Sequence, residues 1–172
     1  GVFSIINSRD LSVIRVPSYD KKIPSPLSHG SFLGVAIAKD NRTLYLSGGD
    51  NGAVVVYDMH LMTRTDSISL NGSIGGVEYG DSFTSDLVLL DNDRLLVLDR
   101  GNFRMVVINT RTRALEGTVR TGRQPFGIAL SPDQRIAFVA NVGMYEYPLI
   151  EGATPANYDS MLISRCLLYT SD

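Results

Sequence analysis

The sequence predicts an all-β fold built from repeated four-stranded antiparallel units. One observation is a segment of two short apolar strands joined by a turn containing Asp, which occurs three times. Another is an apolar strand that follows the first two of these segments at a constant distance. A third is that no long window keeps the helical spacing of apolar residues.

The repeated segments occupy residues 34–46, 85–97 and 127–139. Their turn aspartates, Asp40, Asp91 and Asp133, lie 51 and 42 residues apart. Asp and Asn are suited to such turns because their side chains bond the local backbone and tolerate left-handed conformations. The segments therefore predict three equivalent β-hairpins.

Further strands extend each hairpin. Third strands are predicted at residues 53–58 and 104–109, again 51 residues apart, and fourth strands at 64–70 and 114–120. The equivalents in an incomplete first unit are residues 2–7 and 11–17. Four short strands per period of about 40–50 residues are typical of a β-propeller blade. We therefore predict a fragment of a β-propeller with four-stranded antiparallel blades, about three blades plus a partial one.

The predicted organisation is a partial propeller over residues 1–150, with blade pieces at 1–30, 31–72, 83–122 and 124–150. The Gly-rich loop 71–84 is expected to accommodate the longer first repeat. Residues 151–165 are predicted to form an irregular insertion. Because Gly1 leads directly into an apolar run, we expect the natural N-terminus to lie upstream.

One blade carries a family resemblance. The segment Pro125-Phe-Gly-Ile-Ala-Leu-Ser-Pro-Asp-Gln-Arg-Ile-Ala-Phe-Val-Ala-Asn141 closely resembles the repeat of YVTN-type bacterial β-propellers. Gln134 departs from the turn glycine of that repeat, and Gly48 and Asp99 depart from its final Asn. The resemblance implies an exported protein, periplasmic or extracellular.

Two C-terminal segments carry narrower resemblances. Residues 140–153 resemble bacterial propellers joined to a C-terminal phosphoesterase of the alkaline-phosphatase type, with a long insertion in the blade at this point. The resemblance implies a phosphoesterase domain as a partner in the parent protein, beyond residue 172. Residues 166–172, Cys166-Leu-Leu-Tyr-Thr-Ser-Asp172, resemble a translated sequencing adapter, and a genuine C-terminal strand is the alternative.

Composition disfavours several function classes. The net charge of −2 provides no basic surface for a phosphate backbone, so no nucleic acid partner is expected. No apolar run approaches the roughly 20 residues of a membrane span.

Neither His29 nor His60 has neighbouring ligands that would complete a metal site. The glycine-rich stretch 48–52 lacks the Lys-Ser/Thr of a phosphate-binding loop, and no G-x-S-x-G motif is present. We therefore expect no catalytic residue, metal or cofactor.

One constellation remains as a candidate binding site. In a propeller blade, the loop between strands two and three opens on the same face as the loop that enters strand one. Those loops carry polar residues that would surround one end of the central channel: Asp50, Asp99, Arg100, Asn102, Arg123 and Asn141. The alternative is that Asp and Asn only shape the turns and that Arg100 pairs with Asp99 or a neighbour.

These patterns favour a non-catalytic binding or scaffold module of a larger protein, which meets a small molecule or another protein on one propeller face. One alternative is a fragment of a propeller enzyme of the lactonase or sugar-acid hydrolase type. Another is the accessory domain of a phosphoesterase. A propeller fold is compatible with all three.

Overall fold

The computed structural model describes residues 4–15 and 33–143. Within these ranges the chain forms fourteen β-strands and no helix, arranged in antiparallel sheets of two or four strands. The predicted fold class, a β-propeller fragment, is therefore confirmed. The described ranges contain no candidate for a membrane-spanning helix.

The first strands form a small ribbon. Strand β1 (Ile5–Ile6) pairs with β2 (Val13–Arg15). They lie within the two segments predicted for the incomplete first unit. The outer parts of those segments, residues 2–3 and 16–17, lie outside the described residues.

The first complete sheet follows in chain order. It contains β3 (Val35–Ile37), β4 (Thr43–Ser47), β5 (Ala53–Asp58) and β6 (Thr63–Ser69). Each strand pairs with its successor, so the sheet is an antiparallel meander. Strand β5 is buried along its whole length, which explains its uninterrupted run of apolar residues.

The segment between the two complete sheets differs from the prediction. Residues 71–84 were expected to form a loop, but they contain a β-hairpin of β7 (Gly72–Ile74) and β8 (Val77–Tyr79). Its turn is Gly75–Gly76, and both residues have positive φ angles of 61° and 82°. Two glycines in that conformation form the tight turn that matches strand twist.

The second complete sheet contains β9 (Thr84–Leu89), β10 (Arg94–Asp99), β11 (Arg104–Asn109) and β12 (Leu115–Arg120). A last sheet has two described strands, β13 (Pro125–Leu130) and β14 (Ala137–Asn141). The predicted insertion at 151–165 and the tail at 166–172 lie outside the described residues, as does most of the segment 140–153.

The main core fills the space between the two complete sheets. Val54 and Ile68 from the first sheet share one buried cluster with Val97, Val106 and Ile108 from the second. All five side chains are at most 5% exposed. Burying a side chain of this size contributes about 1.5–3 kcal/mol each, so this interface is the main source of stability.

The innermost strands of successive sheets are joined by polar ties. The Ser85 hydroxyl donates to the carbonyl of Pro125 at 2.9 Å, and the Ile128 amide donates to the Asp86 carboxylate at 3.0 Å. On the other side, Gly34 lies so close to Asp86 that an added Cβ would be 2.8 Å from its Cα. These contacts hold β3, β9 and β13 side by side and align the loops that follow them.

Candidate functional site

Loops from three sheets meet at one end of the molecule, and we call this surface the loop face. It contains residues 48–52, 80–83, 99–103, 121–124 and 141–143. Four backbone hydrogen bonds of 2.7–3.0 Å join these loops, from Thr84 to Gly49, Arg100 to Phe83, Thr121 to Phe103 and Val142 to Gln124. All six residues predicted as the binding site belong to it.

Asp99 lies beneath this surface. Its side chain is completely buried, and its Oδ2 accepts hydrogen bonds from Arg104 Nε at 2.8 Å and Ser82 Oγ at 2.9 Å. Its Oδ1 accepts the Phe83 amide at 3.0 Å. These bonds join the 80–83 loop to the start of β11, so in this structure Asp99 supports the loops and is not available to a ligand.

Arg104, which sequence reasoning missed, is the partner of Asp99. It is 2% exposed, and its Nη2 donates to the Leu70 carbonyl at 2.8 Å. Its guanidinium stacks on Tyr79 at 3.5 Å from the ring centroid. Its Nη1 has no hydrogen-bond partner among the described residues. The sequence contained one signal, namely a charged residue at the first position of an apolar strand, where Ala53 stands in the first sheet.

Asn102 belongs to the same buried network. Its Nδ2 donates to the Gly80 carbonyl and to Asp99 Oδ2, both at 2.9 Å. The side chain is partly buried. Ser82, a further residue that sequence reasoning missed, accepts from the same Nδ2 at 3.2 Å. Asn102 therefore closes the 80–83 loop onto the 99–103 loop.

Arg100 adopts a different environment from that of Asp99. Its Nε donates to the Gln124 side-chain oxygen, and its guanidinium lies 5.8 Å from the Phe83 ring centroid. The side chain is half-buried. The sequence left open that Arg100 pairs with Asp99 or a neighbour; Asp99 is paired with Arg104, and Arg100 bonds the neighbouring Gln124.

Asp50, Arg123 and Asn141 are exposed. Asn141 packs over the 121–124 loop, where a Cβ on Gly122 would be 2.8 Å from Asn141 Cγ. The Arg123 carbonyl accepts the Gly143 amide at 3.1 Å. The structure thus brings Arg100, Arg123 and Asn141 together around one loop, while Asp50 stands in the neighbouring 48–52 loop.

The exposed groups of the loop face could contact an anionic group. A guanidinium presents a planar fork of donors that matches a carboxylate or a phosphate, and an amide adds one donor and one acceptor. Among residues 4–15 and 33–143, no group of three His, Cys, Asp or Glu side chains could hold a metal ion. His60 lies at the opposite end, where its backbone amide donates to Asp58 at 2.8 Å.

That opposite end, the turn face, is formed by the turns that follow β3, β5, β9 and β13. Asp40, Asp58 and Asp133 accept hydrogen bonds from residues close in sequence, which lower their pKa values. The pKa of Asp40 is lowered mainly by the Thr43 amide, that of Asp58 by the Leu61 amide and that of Asp133 by the Ser131 hydroxyl. The pKa of Asp91 is lowered mainly by Lys39 of the neighbouring sheet. Asp40, Asp58 and Asp133 therefore stabilise their own turns, whereas Asp91 links the turns of two neighbouring sheets.

Comparison with known proteins supports the fold. No family model matches the chain. It is 36% identical over 110 residues to the seven-bladed beta-propeller protein Rv1057 of Mycobacterium tuberculosis. The alignment covers 62% of this chain and 26% of that protein. The chain therefore spans about a quarter of the length of this curated relative.

Solved structures give a similar result. Hydrazine synthase of Kuenenia stuttgartiensis aligns with a TM-score of 0.55 and 19% identity, over 76% of this chain and 34% of that one. A Lactobacillus plantarum protein aligns with a TM-score of 0.50 and 23% identity, over 62% of this chain and 34% of that one. The periplasmic gluconolactonase of Pseudomonas aeruginosa aligns with a TM-score of 0.50 and 24% identity, over 62% of this chain and 31% of that one. At these identities the likeness shows the fold alone, and the resemblances to YVTN repeats and to phosphoesterase-linked propellers stay predictions.

Proposed function

We propose that the chain is a non-catalytic β-propeller module that binds an anionic group, from a small molecule or a protein, on its loop face. The observation that carries this proposal is the position of Arg100, Arg123 and Asn141 around the 121–124 loop. Interlocked backbone hydrogen bonds hold the loops in place. A preorganised set of donors needs little ordering when a ligand binds.

The charge arrangement supports an anionic ligand. Asp99 and Arg104 neutralise each other below the surface at 2.8 Å, so they add no net field to the loop face. Arg100 is bonded to a neutral amide and keeps its full positive charge. Arg123 adds a second exposed cation on the next loop. Asp50, exposed on the 48–52 loop, would disfavour a ligand that extends into that loop with a second negative charge.

We further propose, from the repeat resemblance, that the parent protein is exported. The parent's own activity and partners are part of this proposal, because the chain spans about a quarter of the curated relative.

A lactonase of the propeller type is the second candidate, favoured by the likeness to the solved gluconolactonase.

The test uses two anionic probes and one substrate. Titration calorimetry measures binding of gluconate and of inorganic phosphate, and a pH-stat assay measures hydrolysis of glucono-δ-lactone. We expect millimolar or tighter binding of at least one anion, no hydrolysis above the buffer rate, and at least tenfold weaker binding in the Arg100→Ala, Arg123→Ala double variant. Hydrolysis that this double variant loses would establish the lactonase instead. Failure of both anions to bind would overturn the proposed anion site.

A further inference from the structure

Two glutamines reach from the last sheet to the second complete sheet, one beyond each end of β13. Gln124 directly precedes the strand on the loop face, and its side-chain oxygen accepts the Nε–H of Arg100. Gln134 follows the strand on the turn face, and its side-chain oxygen accepts the amide of Asp91 at 2.8 Å. Both glutamines are half-buried, and both have a φ of 56°. They make the same kind of contact between sheets, but only Gln124 of the two holds a cation.

The backbone of Gln124 is fixed on both sides. A residue with a Cβ rarely adopts a positive φ, so the surrounding structure has to hold it there. The Gln124 carbonyl accepts the Val142 amide at 3.0 Å. The next residue, Pro125, is buried, and its carbonyl accepts the Ser85 hydroxyl at 2.9 Å. The side-chain oxygen of Gln124 is therefore an acceptor on a well-anchored base.

Arg100 is held in place but keeps donors to spare. Its amide donates to the Phe83 carbonyl at 2.7 Å, and its guanidinium lies 5.8 Å from the Phe83 ring centroid. Gln124 takes the Nε–H. Neither Nη group of Arg100 has a hydrogen-bond partner among residues 4–15 and 33–143. The N–H bonds of these groups can be accepted as a parallel pair by a carboxylate or a phosphate.

The neutrality of the Gln124 side chain determines what Arg100 can do. A carboxylate in its place would form an ion pair with Arg100 and would repel an arriving anion. An apolar side chain would leave the Nε–H without its acceptor and the guanidinium free to change rotamer, and ligand binding would then have to order it. An amide oxygen orients the guanidinium and leaves its charge uncompensated.

We propose that Gln124 is the positioning residue of the anion site. It holds Arg100 by Nε and leaves both Nη groups, with the full positive charge, to the ligand. This inference rests on the proposed function of the loop face, and it adds the edge of Arg100 that meets the anion and the residue that orients it. Gln134, which makes the equivalent contact with a backbone amide, has no such role.

Calorimetry on the full chain, with inorganic phosphate and gluconate as probes, tests the charge of this side chain first. Gln124→Glu keeps an acceptor for Arg100 but adds a negative charge, so the anion that the wild type binds should bind at least tenfold more weakly. The melting temperature, measured by circular dichroism, should equal or exceed that of the wild type. If Gln124 served only the fold, affinity would not change, because the bond to Arg100 is retained. Affinity within twofold of the wild type would overturn the proposal, and so would a loss of affinity that accompanies unfolding.

A second substitution tests the orientation of Arg100. Gln124→Met has a side chain of similar length without a charge or an amide oxygen, so Arg100 should lose its anchor and the anion should bind about threefold more weakly. Gln134→Glu and Gln134→Met are the matched controls, at the same φ on the turn face, and both should stay within twofold of the wild-type affinity. Unchanged affinity in Gln124→Met, or equal losses at the two glutamines, would show that Gln124 does not position Arg100.

The failure of this proposal is distinguishable from that of the proposed function. If the wild type binds neither phosphate nor gluconate, the proposed function fails and the role of Gln124 fails with it. If the wild type binds an anion and the Arg100→Ala, Arg123→Ala double variant does not, the anion site stands. Wild-type affinity in both Gln124 variants would then overturn the role of Gln124 alone.

Discussion

The loop face has two layers whose residues are chemically alike but differ in their hydrogen bonding. The lower layer, the floor, consists of Ser82, Asp99, Asn102 and Arg104. The upper layer, the rim, consists of Asp50, Arg100, Arg123 and Asn141. Asp99 in the floor is fully buried with its oxygens bonded to four neighbouring residues, whereas Asp50 in the rim is exposed. The same residue type thus supports the fold in one layer and remains accessible in the other.

We infer from this difference that the floor contributes to the stability of the fold and that the rim is available for binding. A buried charge must be fully paired, since an unpaired one carries a large desolvation penalty. Exposed charges contribute little to stability and can change partners at little cost. We therefore expect substitutions in the floor to unfold the protein and substitutions in the rim to alter binding.

The largest effect is expected for Asp99→Leu. It leaves Arg104 buried without its counter-ion and the Phe83 amide without an acceptor, which should cost about 3–5 kcal/mol of unfolding free energy. Urea denaturation measures this. Asp50→Ala in the rim is the control and should stay within about 0.5 kcal/mol.

A double variant sharpens this prediction. Asp99→Leu combined with Arg104→Met removes both buried charges, and it should therefore be more stable than Asp99→Leu alone. If the double variant instead loses the sum of both single effects, the buried charge is not the cause of the destabilisation.

A smaller effect is expected at Gly101, in the loop between β10 and β11. An added Cβ would clash with the Asp81 carbonyl and lie 3.1 Å from the Phe83 nitrogen. Gly101→Ala should therefore cost about 1–3 kcal/mol. Gly117→Ala is its matched control on β12, where a Cβ meets no atom within 4 Å, and it should be neutral or stabilising by up to about 1 kcal/mol. Equal costs at both glycines would contradict the close approach of these loops.

The turn face should contribute to the acid sensitivity of the fold. The folded-state pKa values of Asp40, Asp58, Asp91 and Asp133 are lowered. These groups therefore add stability above the unfolded pKa of about 3.9, which is lost as the pH falls through the folded values. Asp40→Asn should flatten the loss of stability below about pH 4, measured by urea denaturation across pH. An unchanged slope would show that the turn hydrogen bonds do not determine acid stability.

A small effect is expected at the contact between turns. Lys39 Nζ lies 2.9 Å from Asp91 Oδ1, but both side chains are about 70% exposed. Lys39→Met should cost at most about 1 kcal/mol, and less at high salt. A loss above 2 kcal/mol in thermal or urea unfolding would mean that this turn contact contributes as much as a core residue.

The sequence alone was sufficient to predict the repeated unit and the positions of its strands. The aspartate turns and the apolar strands placed β3–β6 and β9–β12 within one or two residues, because each strand repeats a local pattern. The β7–β8 hairpin was missed although Gly75-Gly76 is a hairpin signal, since its strands are only three residues long and carry little alternation.

The sequence predicted which loops form the candidate site, but it did not predict which of their side chains support the fold and which are exposed. Loop position alone placed Asp99 beside Arg100, but whether a side chain points inward depends on contacts with another sheet. The partner of Asp99 is on β11, and Arg104 reaches Leu70, 34 residues away. Such long-range contacts have no local signature in one sequence.

The central claim, that the rim binds and the floor supports, is tested most directly by measuring stability and anion binding on the same variants. Arg123→Ala and Arg100→Ala should each unfold within about 1 kcal/mol of the wild type, because Arg123 is exposed and Arg100 is half-buried and side-chain contacts at such positions contribute little to stability. Each should weaken binding of the anion probe at least threefold by calorimetry. Wild-type affinity in both variants would contradict the account, and so would unfolding of both by several kcal/mol.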